Sequence, residues 1–436
     1  MNIHTSIDLG ETSTHVVVLA SVLVPIAIAV ALWVKHPPGH RRRGAIALAT
    51  TWNAVGLLAL NVIAQRVGWW EFGEAGPSLL GVPVALWLGW VVLWGTAGAQ
   101  SPVRPATTVA ALAVFDLIYM PLAGDAVLLH NSWLLGEAVA LAAIAWPGLL
   151  LARWAEADTR LAARASLQLA MFGVMLFWAI PALAIGGLDR PMTLEVPPPF
   201  FGVAFGALIL ATLPGLISLH EFHLAGGTPW PWDSTTHAVR SGPYRYVRSP
   251  MQLSGVLVLV IAATLYREPV VLAAAVSAVG YSRLFSALEQ DELIDRFGDD
   301  WALLANGQRR WLPTWRPSAH AEPATIWIGF SCEVCDPIAR FLAARRPVGL
   351  DIRDAASHPD VLFRARYERA DGVELDGVRA VGAALEHLHL AWAFAGWLLR
   401  LPVAWRWWQL IGDAVGFGPR PSRPIAPATP MSSSPA

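Results

Sequence analysis

Gly226-Gly227-Thr228-Pro229-Trp230-Pro231, continuing to Gly242-Pro243-Tyr244-Arg245-Tyr246-Val247-Arg248-Ser249-Pro250-Met251, is a polar, arginine-bearing stretch between two long apolar segments. Pro229, Pro231, Pro243 and Pro250 stiffen its path. Its glycines let the backbone approach a ligand closely. Arg245 and Arg248 would sit beside a membrane surface, where they can hold an anionic group. The stretch therefore reads as a cofactor loop at a membrane boundary, and its flanks must cross that membrane.

The composition supports the membrane part of this reading. Hydrophobic residues make up 55% of the chain and charged residues 14%, against about 25% charged in an average soluble domain. Mean hydropathy is +0.48. Apolar runs near the length that crosses a bilayer recur at 16–34, 45–65, 78–98, 106–129, 132–152, 165–187, 199–219, 251–266 and 269–288. The expected fold is an all-α polytopic membrane domain of about nine transmembrane helices, the last two a hairpin turned at Arg267-Glu268-Pro269. The formal net charge of −1 gives no basis for a nucleic-acid partner. The first apolar run lacks a basic start and a small-residue cleavage site, so it does not read as a removable signal peptide.

Basic residues set the expected orientation. With the N-terminus outside, the inner loops collect Lys35, Arg41, Arg42, Arg43, Arg104, Arg153, Arg160, Arg164, Arg240, Arg245 and Arg248, and the outer loops hold Arg66, Arg190 and Arg267. Eleven against three is a positive-inside bias. It places the arginine loop and everything after residue 288 in the cytoplasm. Arginine in place of lysine, with abundant Ala, Gly and Pro, suggests a bacterial plasma membrane.

Four domains are expected: 1–198, transmembrane helices of no readable role; 199–317, a membrane module containing the loop; 318–416, a small cytosolic α/β domain; and 417–436, a Pro- and Ser-rich disordered tail. In the α/β domain, Thr325 to Phe330 and Val348 to Ile352 read as strands. Pro337 to Arg345 and Asp360 to Arg369 read as helices. Residues 391–411 are apolar and tryptophan-rich, suited either to pack on this domain or to lie along the inner leaflet.

The loop and its sequel resemble the isoprenylcysteine carboxyl methyltransferase and phospholipid methyltransferase families. The resemblance rests on Gly227-Thr228-Pro229-Trp230-Pro231, on Gly242 to Pro250, and on Glu289-Gln290, Arg296-Phe297-Gly298, Trp301 and Leu312-Pro313. It covers about residues 199–317. It implies an S-adenosylmethionine-dependent methyltransferase whose lipophilic or lipidated acceptor enters from the membrane lipid. The cofactor would be bound by Gly242, Pro243, Tyr244, Arg245, Tyr246, Arg248, Ser249, Pro250, Glu289 and Gln290, with Arg248 and Glu289 also catalytic. A guanidinium suits the cofactor carboxylate, Glu289 its ribose hydroxyls or amino group, and the tyrosine faces its adenine or sulfonium. The family pattern has His or Asn where this chain has Ser249, Tyr where it has Gln252, and a second Glu where it has Gln290. Taken alone, Arg245 and Arg248 also read as positive-inside anchors.

The chain's two cysteines form one Cys332-Glu333-Val334-Cys335, between a predicted strand and a predicted helix. A thioredoxin-type pair sits there because a helix N-terminus stabilises the leading thiolate. With Gly377-Val378-Arg379-Ala380 and Leu398 to Pro402, residues 323–416 resemble the DCC family of thiol-disulfide oxidoreductase-like proteins, without the aspartate usual before the first Cys. The resemblance implies a thioredoxin-like fold, with Cys332 attacking a thiol partner's disulfide and Cys335 resolving the mixed disulfide. Glu333 would oppose the helix effect. Two reduced cysteines without a redox role are the plain alternative. A zinc site would need two ligands from His358, His387 and His389, and no metal is expected.

Three readings of the whole chain stay open: a membrane methyltransferase, a membrane-tethered dithiol oxidoreductase with a degenerate methyltransferase module, and a non-enzymatic scaffold. Weaker signals remain. His220-Glu221-x-His223 closes the seventh apolar run; the spacing of its histidines could hold a metal, but two histidines at a membrane boundary are expected to face water. Asp116, Asn53 and Asn61 lie within apolar runs, as functional groups or as glue between helices. Asp125, His130 and Glu137 are expected to cluster, solvated, near an outer loop.

Overall fold

The computed structural model describes residues 9–73, 76–188, 190–194, 196–288, 308–402 and 404–422, together with 294, 297, 298 and 301. The chain is mostly helical. Among the described residues six helices are long and apolar enough to cross a bilayer: Val16–Lys35 within α1 (Leu9–Lys35), α2 (His40–Val67), α4 (Pro105–Leu122), α5 (Trp133–Ala157), α6 (Leu161–Gly186) and α7 (Pro198–Leu224). This is a multi-pass membrane protein. α3 (Val84–Gln100) and α8 (Pro250–Tyr266) are shorter, and α9 (Pro269–Leu288) is apolar over Pro269–Gly280.

Two of the nine expected spans begin or end differently from the hydrophobic run. The run 78–98 opens with strands β2 (Ser78–Leu79) and β3 (Val82–Pro83), and helix starts only at Val84. The run 106–129 leaves helix after Leu122. It then makes a 3-10 turn and strand β4 (Val127–Leu129), paired antiparallel with β1 (Trp70–Phe72). Apolar length cannot distinguish a span from a helix joined to a buried hairpin strand. α8 and α9 are joined at Arg267-Glu268, where Arg267 adopts φ 53°.

The contacts divide the chain into two compact units. The first comprises 1–198, 226–235 and 258–277, the second 199–225, 236–257 and 278–436. In the first unit α2 packs along α5 and α3. Its core gathers Leu57, Trp70, Leu86, Trp94, Leu112 and Ile144. Tryptophans tie helices together by donating to backbone carbonyls: Trp52 to Ile144 O and Trp87 to Ala54 O, both at 3.0 Å.

The second unit holds α7 and a four-stranded sheet of order β6-β5-β7-β8. β5 (Ala324–Ile328) pairs parallel with β6 (Leu350–Asp354) and antiparallel with β7 (Arg366–Arg369), which pairs antiparallel with β8 (Glu374–Asp376). α10 (Cys335–Ala344) follows β5, and α11 (Val378–Leu385) follows β8. The expected helix Asp360 to Arg369 is therefore a correction: its last four residues are a strand. Burial there has period two, with Tyr367 and Arg369 buried and Arg366 and Glu368 half-buried. Arg366 pairs across the strands with Asp376 at 3.0 Å.

The tryptophan-rich segment forms α12 (Leu390–Arg400) and α13 (Ala404–Gly412). α12 packs on α11 so closely that a Cβ on Gly396 would lie 2.2 Å from Gly382 O. Residues 417–422 of the expected disordered tail are held by backbone bonds, Arg420 N to Phe363 O at 2.9 Å and Ser422 N to Leu362 O at 2.7 Å. Residues 423–436 lie outside the described residues.

Candidate functional site

The arginine loop is divided between the two units. Its first half belongs to the first unit, where Thr228 Oγ1 donates to Asp233 Oδ2 at 2.9 Å and Trp230 Nε1 to Gly44 O at 3.0 Å. Arg164 pairs with Asp233 at 2.9 Å.

Its second half, Gly242 to Val247, is buried in the second unit. Gly242 has φ 59°, and a Cβ there would lie 2.8 Å from Glu221 Cγ, so glycine lets the turn pass α7. Arg245 is fully buried. Its guanidinium donates to Glu322 O at 2.8 Å and to the Tyr367 hydroxyl at 3.2 Å, and faces His387 Nδ1 at 3.5 Å. Tyr246 donates through its hydroxyl to Glu386 O at 2.8 Å and sets its ring edge-on to Trp397. Tyr244 stacks on Phe222 with ring centroids 5.5 Å apart. Burial raises the hydroxyl pKa of both tyrosines. Arg245, Tyr244 and Tyr246 thus each contact other protein side chains or carbonyls.

Arg248 is half-buried. Its backbone N–H donates to Arg309 O at 3.1 Å and that of Ser249 to Arg310 O at 3.3 Å. Burial, and next the charge of Arg310, lower the Arg248 pKa. The backbone of Arg248-Ser249 runs beside that of Arg309-Arg310 where α8 begins with Pro250. Glu289 and Gln290 lie outside the described residues.

The charge cluster that organises the second unit was not read from the sequence. Glu221, which lies between His220 and His223, is buried and accepts hydrogen bonds from Ser241 Oγ at 2.6 Å and Arg369 at 2.7 Å. Arg400 pairs with both Glu221 and Glu386. Burial opposes the charge on Arg400, yet Glu386 and Glu221 hold its pKa above the usual range. The available signal was local: Arg400 is a lone charge in the apolar run Leu398-Leu399-Arg400-Leu401. Nothing nearby in sequence could have named its partner, 179 residues away.

The dithiol lies where β5 passes into α10. The Cys335 backbone N–H donates to Cys332 Sγ at 3.3 Å, and the N–H groups of Cys335 and Asp336 close the first turn onto Cys332 O. Both thiols are free and partly exposed. Burial works against ionisation of Cys332. Even so, the hydrogen bonds from the Cys335 thiol and the backbone N–H groups, with the charge of Arg420, lower its pKa. Burial, followed by the hydrogen bond to Cys332 and its charge, pushes Cys335 up to about 12. The pair is therefore asymmetric: its surroundings ease ionisation of Cys332 and oppose that of Cys335.

Among the described residues no group of three or more His, Cys, Asp and Glu is placed to hold a metal. His358 pairs with Glu368 at 2.9 Å, His387 faces Tyr367 and Val348, and His389 stacks on Trp315. Glu137 corrects the expectation of a solvated cluster, being only 5% exposed. His130 pairs with Glu71 at the surface.

No family model, curated protein or solved structure matches this chain.

Proposed function

We propose that the chain is a membrane-tethered thiol-disulfide oxidoreductase in which Cys332 attacks and Cys335 resolves. The observation that carries this reading is the pair of free, partly exposed thiols at the start of α10, with the Cys335 backbone N–H donating to Cys332 Sγ at 3.3 Å. A thiolate is the nucleophile in exchange, and backbone N–H groups at a helix N-terminus favour it. The Cys332 thiolate attacks one sulfur of a partner disulfide. A new S–S bond forms, the partner bond breaks, and the leaving thiolate takes up a proton. Cys332 then carries no charge, which removes one cause of the high Cys335 pKa. Cys335 gives up its proton, attacks Cys332 and releases the second partner thiol. The partner disulfide is reduced and Cys332–Cys335 is oxidised. A thioredoxin-like description of residues 324–385 draws support from the dithiol's place between a central strand and its following helix. On the arginine distribution this domain faces the cytoplasm of a bacterial cell.

The test is trapping. Cys335→Ser is expected to accumulate a mixed disulfide with a model peptide disulfide, and Cys332→Ser none. Equal trapping by both variants, or none by either, would refute the assignment.

The pairing of the Arg248-Ser249 backbone with Arg309-Arg310, which brings two arginines to the start of α8, favours a second activity, methyl transfer from S-adenosylmethionine to a lipophilic acceptor. There Arg248 holds the cofactor carboxylate, and the resemblance across 199–317 supplies the reaction class. Calorimetry on the purified protein is expected to show binding that Arg248→Ala weakens at least tenfold. No binding by the parent protein removes this reading and leaves the first intact.

A further inference from the structure

Two carboxyls meet inside the first unit, on different membrane-length helices. Asp116 of α4 is fully buried and Glu137 of α5 nearly so. Asp116 Oδ1 accepts the indole N–H of Trp90 at 3.0 Å, and Oδ2 that of Trp94 at 3.2 Å. Glu137 lines the same cavity as Trp90 and Trp94, the two tryptophans that bond Asp116, and the two carboxyls act on each other electrostatically. Glu137 Oε1 is buried without a hydrogen-bond partner among the described residues. It lines a cavity of about 30 Å³ walled by Asn61, Trp87, Trp90 and Met120. A cavity of that size holds a water or two, each needing about 10–15 Å³.

Among the described residues no cation acts on this pair. The groups acting on Asp116 are Glu137, Trp90 and Trp94. From α2 the pair is faced by Asn61, which accepts from Trp70 Nε1 at 3.0 Å. α4 adds Tyr119, whose hydroxyl donates to Val17 O of α1 at 3.2 Å. β1 and β4 contribute Glu71 and His130, paired with each other at the surface. Arg41, Arg42 and Arg153 bond to the carbonyls of Ala155, Gln100 and Ser101, and Arg66 is exposed. Two adjacent carboxylates in a low-dielectric site cannot both remain ionised. A metal cation would need several free oxygens. Both Asp116 oxygens and Asn61 Oδ1 already accept indole N–H groups, whose positive ends point to where a cation would sit. A proton needs only one.

We propose that Asp116 and Glu137 form an intramembrane proton-binding site that holds one dissociable proton between its two carboxyls and exchanges it through the water-sized cavity. The two indole donors favour an ionised form of the pair, so the two carboxyls together keep one charge and one proton. The free Oε1 of Glu137 gives a cavity water an acceptor beside the proton.

Infrared difference spectroscopy of the full-length protein in lipid nanodiscs tests this. A carboxylic-acid C=O band is expected at neutral pH. It should disappear at alkaline pH and be missing in Glu137→Gln. Should that variant not fold, carbon-13 labelling of glutamate or of aspartate in the parent chain is expected to shift part of the band. No band that titrates at alkaline pH, or one that persists unchanged in Glu137→Gln, overturns the proposal. So does loss of the band at fixed pH when sodium or potassium replaces choline, which would mark a metal-cation site.

Discussion

His387 shows how far a single residue's state is set by neighbours remote in sequence. Its Nδ1–H donates to Val348 O at 2.7 Å and its Nε2 accepts the Tyr367 hydroxyl at 2.9 Å, so the ring is neutral. Burial and, next, the Arg245 charge hold its pKa well below the ordinary value. Protonation therefore favours the unfolded chain. The stability that His387 contributes is fully present above about pH 6.5 and is lost as pH falls below it. Thermal unfolding is expected to shift to lower temperature between about pH 6.5 and pH 5, and His387→Gln is expected to flatten that slope. An unchanged slope would contradict the neutral ring. The sequence offered His387 only as a candidate zinc ligand, because its partners come from three other segments. Cys332 and Cys335 were legible as a pair, since adjacent spacing and one helix start decide their chemistry. Arg245 was legible as a charge at a membrane boundary; its surroundings were not. The motif shows a guanidinium, and only the fold shows that Glu322, Tyr367 and His387 surround it.

At the scale of elements, the period of the hydrophobic pattern found the helices and misread some of their ends. β4 and the start of the 78–98 run are as apolar as the helices they adjoin, so only backbone pairing distinguishes them. Arg366 to Arg369 looked helical because its polar residues also fit a helix face, and pairing with β5 and β8 decided the strand. α7 is bound to the sheet and to α12 through Glu221, which meets Arg369 of β7 and Arg400 of α12. Removing one member of a buried ion network leaves the others uncompensated. Glu221→Ala is expected to destabilise the second unit by about 3–5 kcal/mol. Denaturant unfolding followed by tryptophan fluorescence checks this, and a loss under about 1 kcal/mol would show that water already screens the cluster.

At the scale of the whole molecule, the sequence by itself determined that this is a multi-pass, mostly helical membrane protein with a small C-terminal sheet. It did so because apolar length and charge density are properties of short windows, and crossing hydrocarbon depends on little else. It also located the dithiol, a feature four residues long. Only the tertiary structure decided which charges are buried and what faces them. The Glu221–Arg400 contact and the Asp116–Glu137 pair join residues from different helices, and no window of sequence contains both partners. The free energy of a buried charge is fixed by what lies within a few ångströms, and chain folding alone supplies those neighbours.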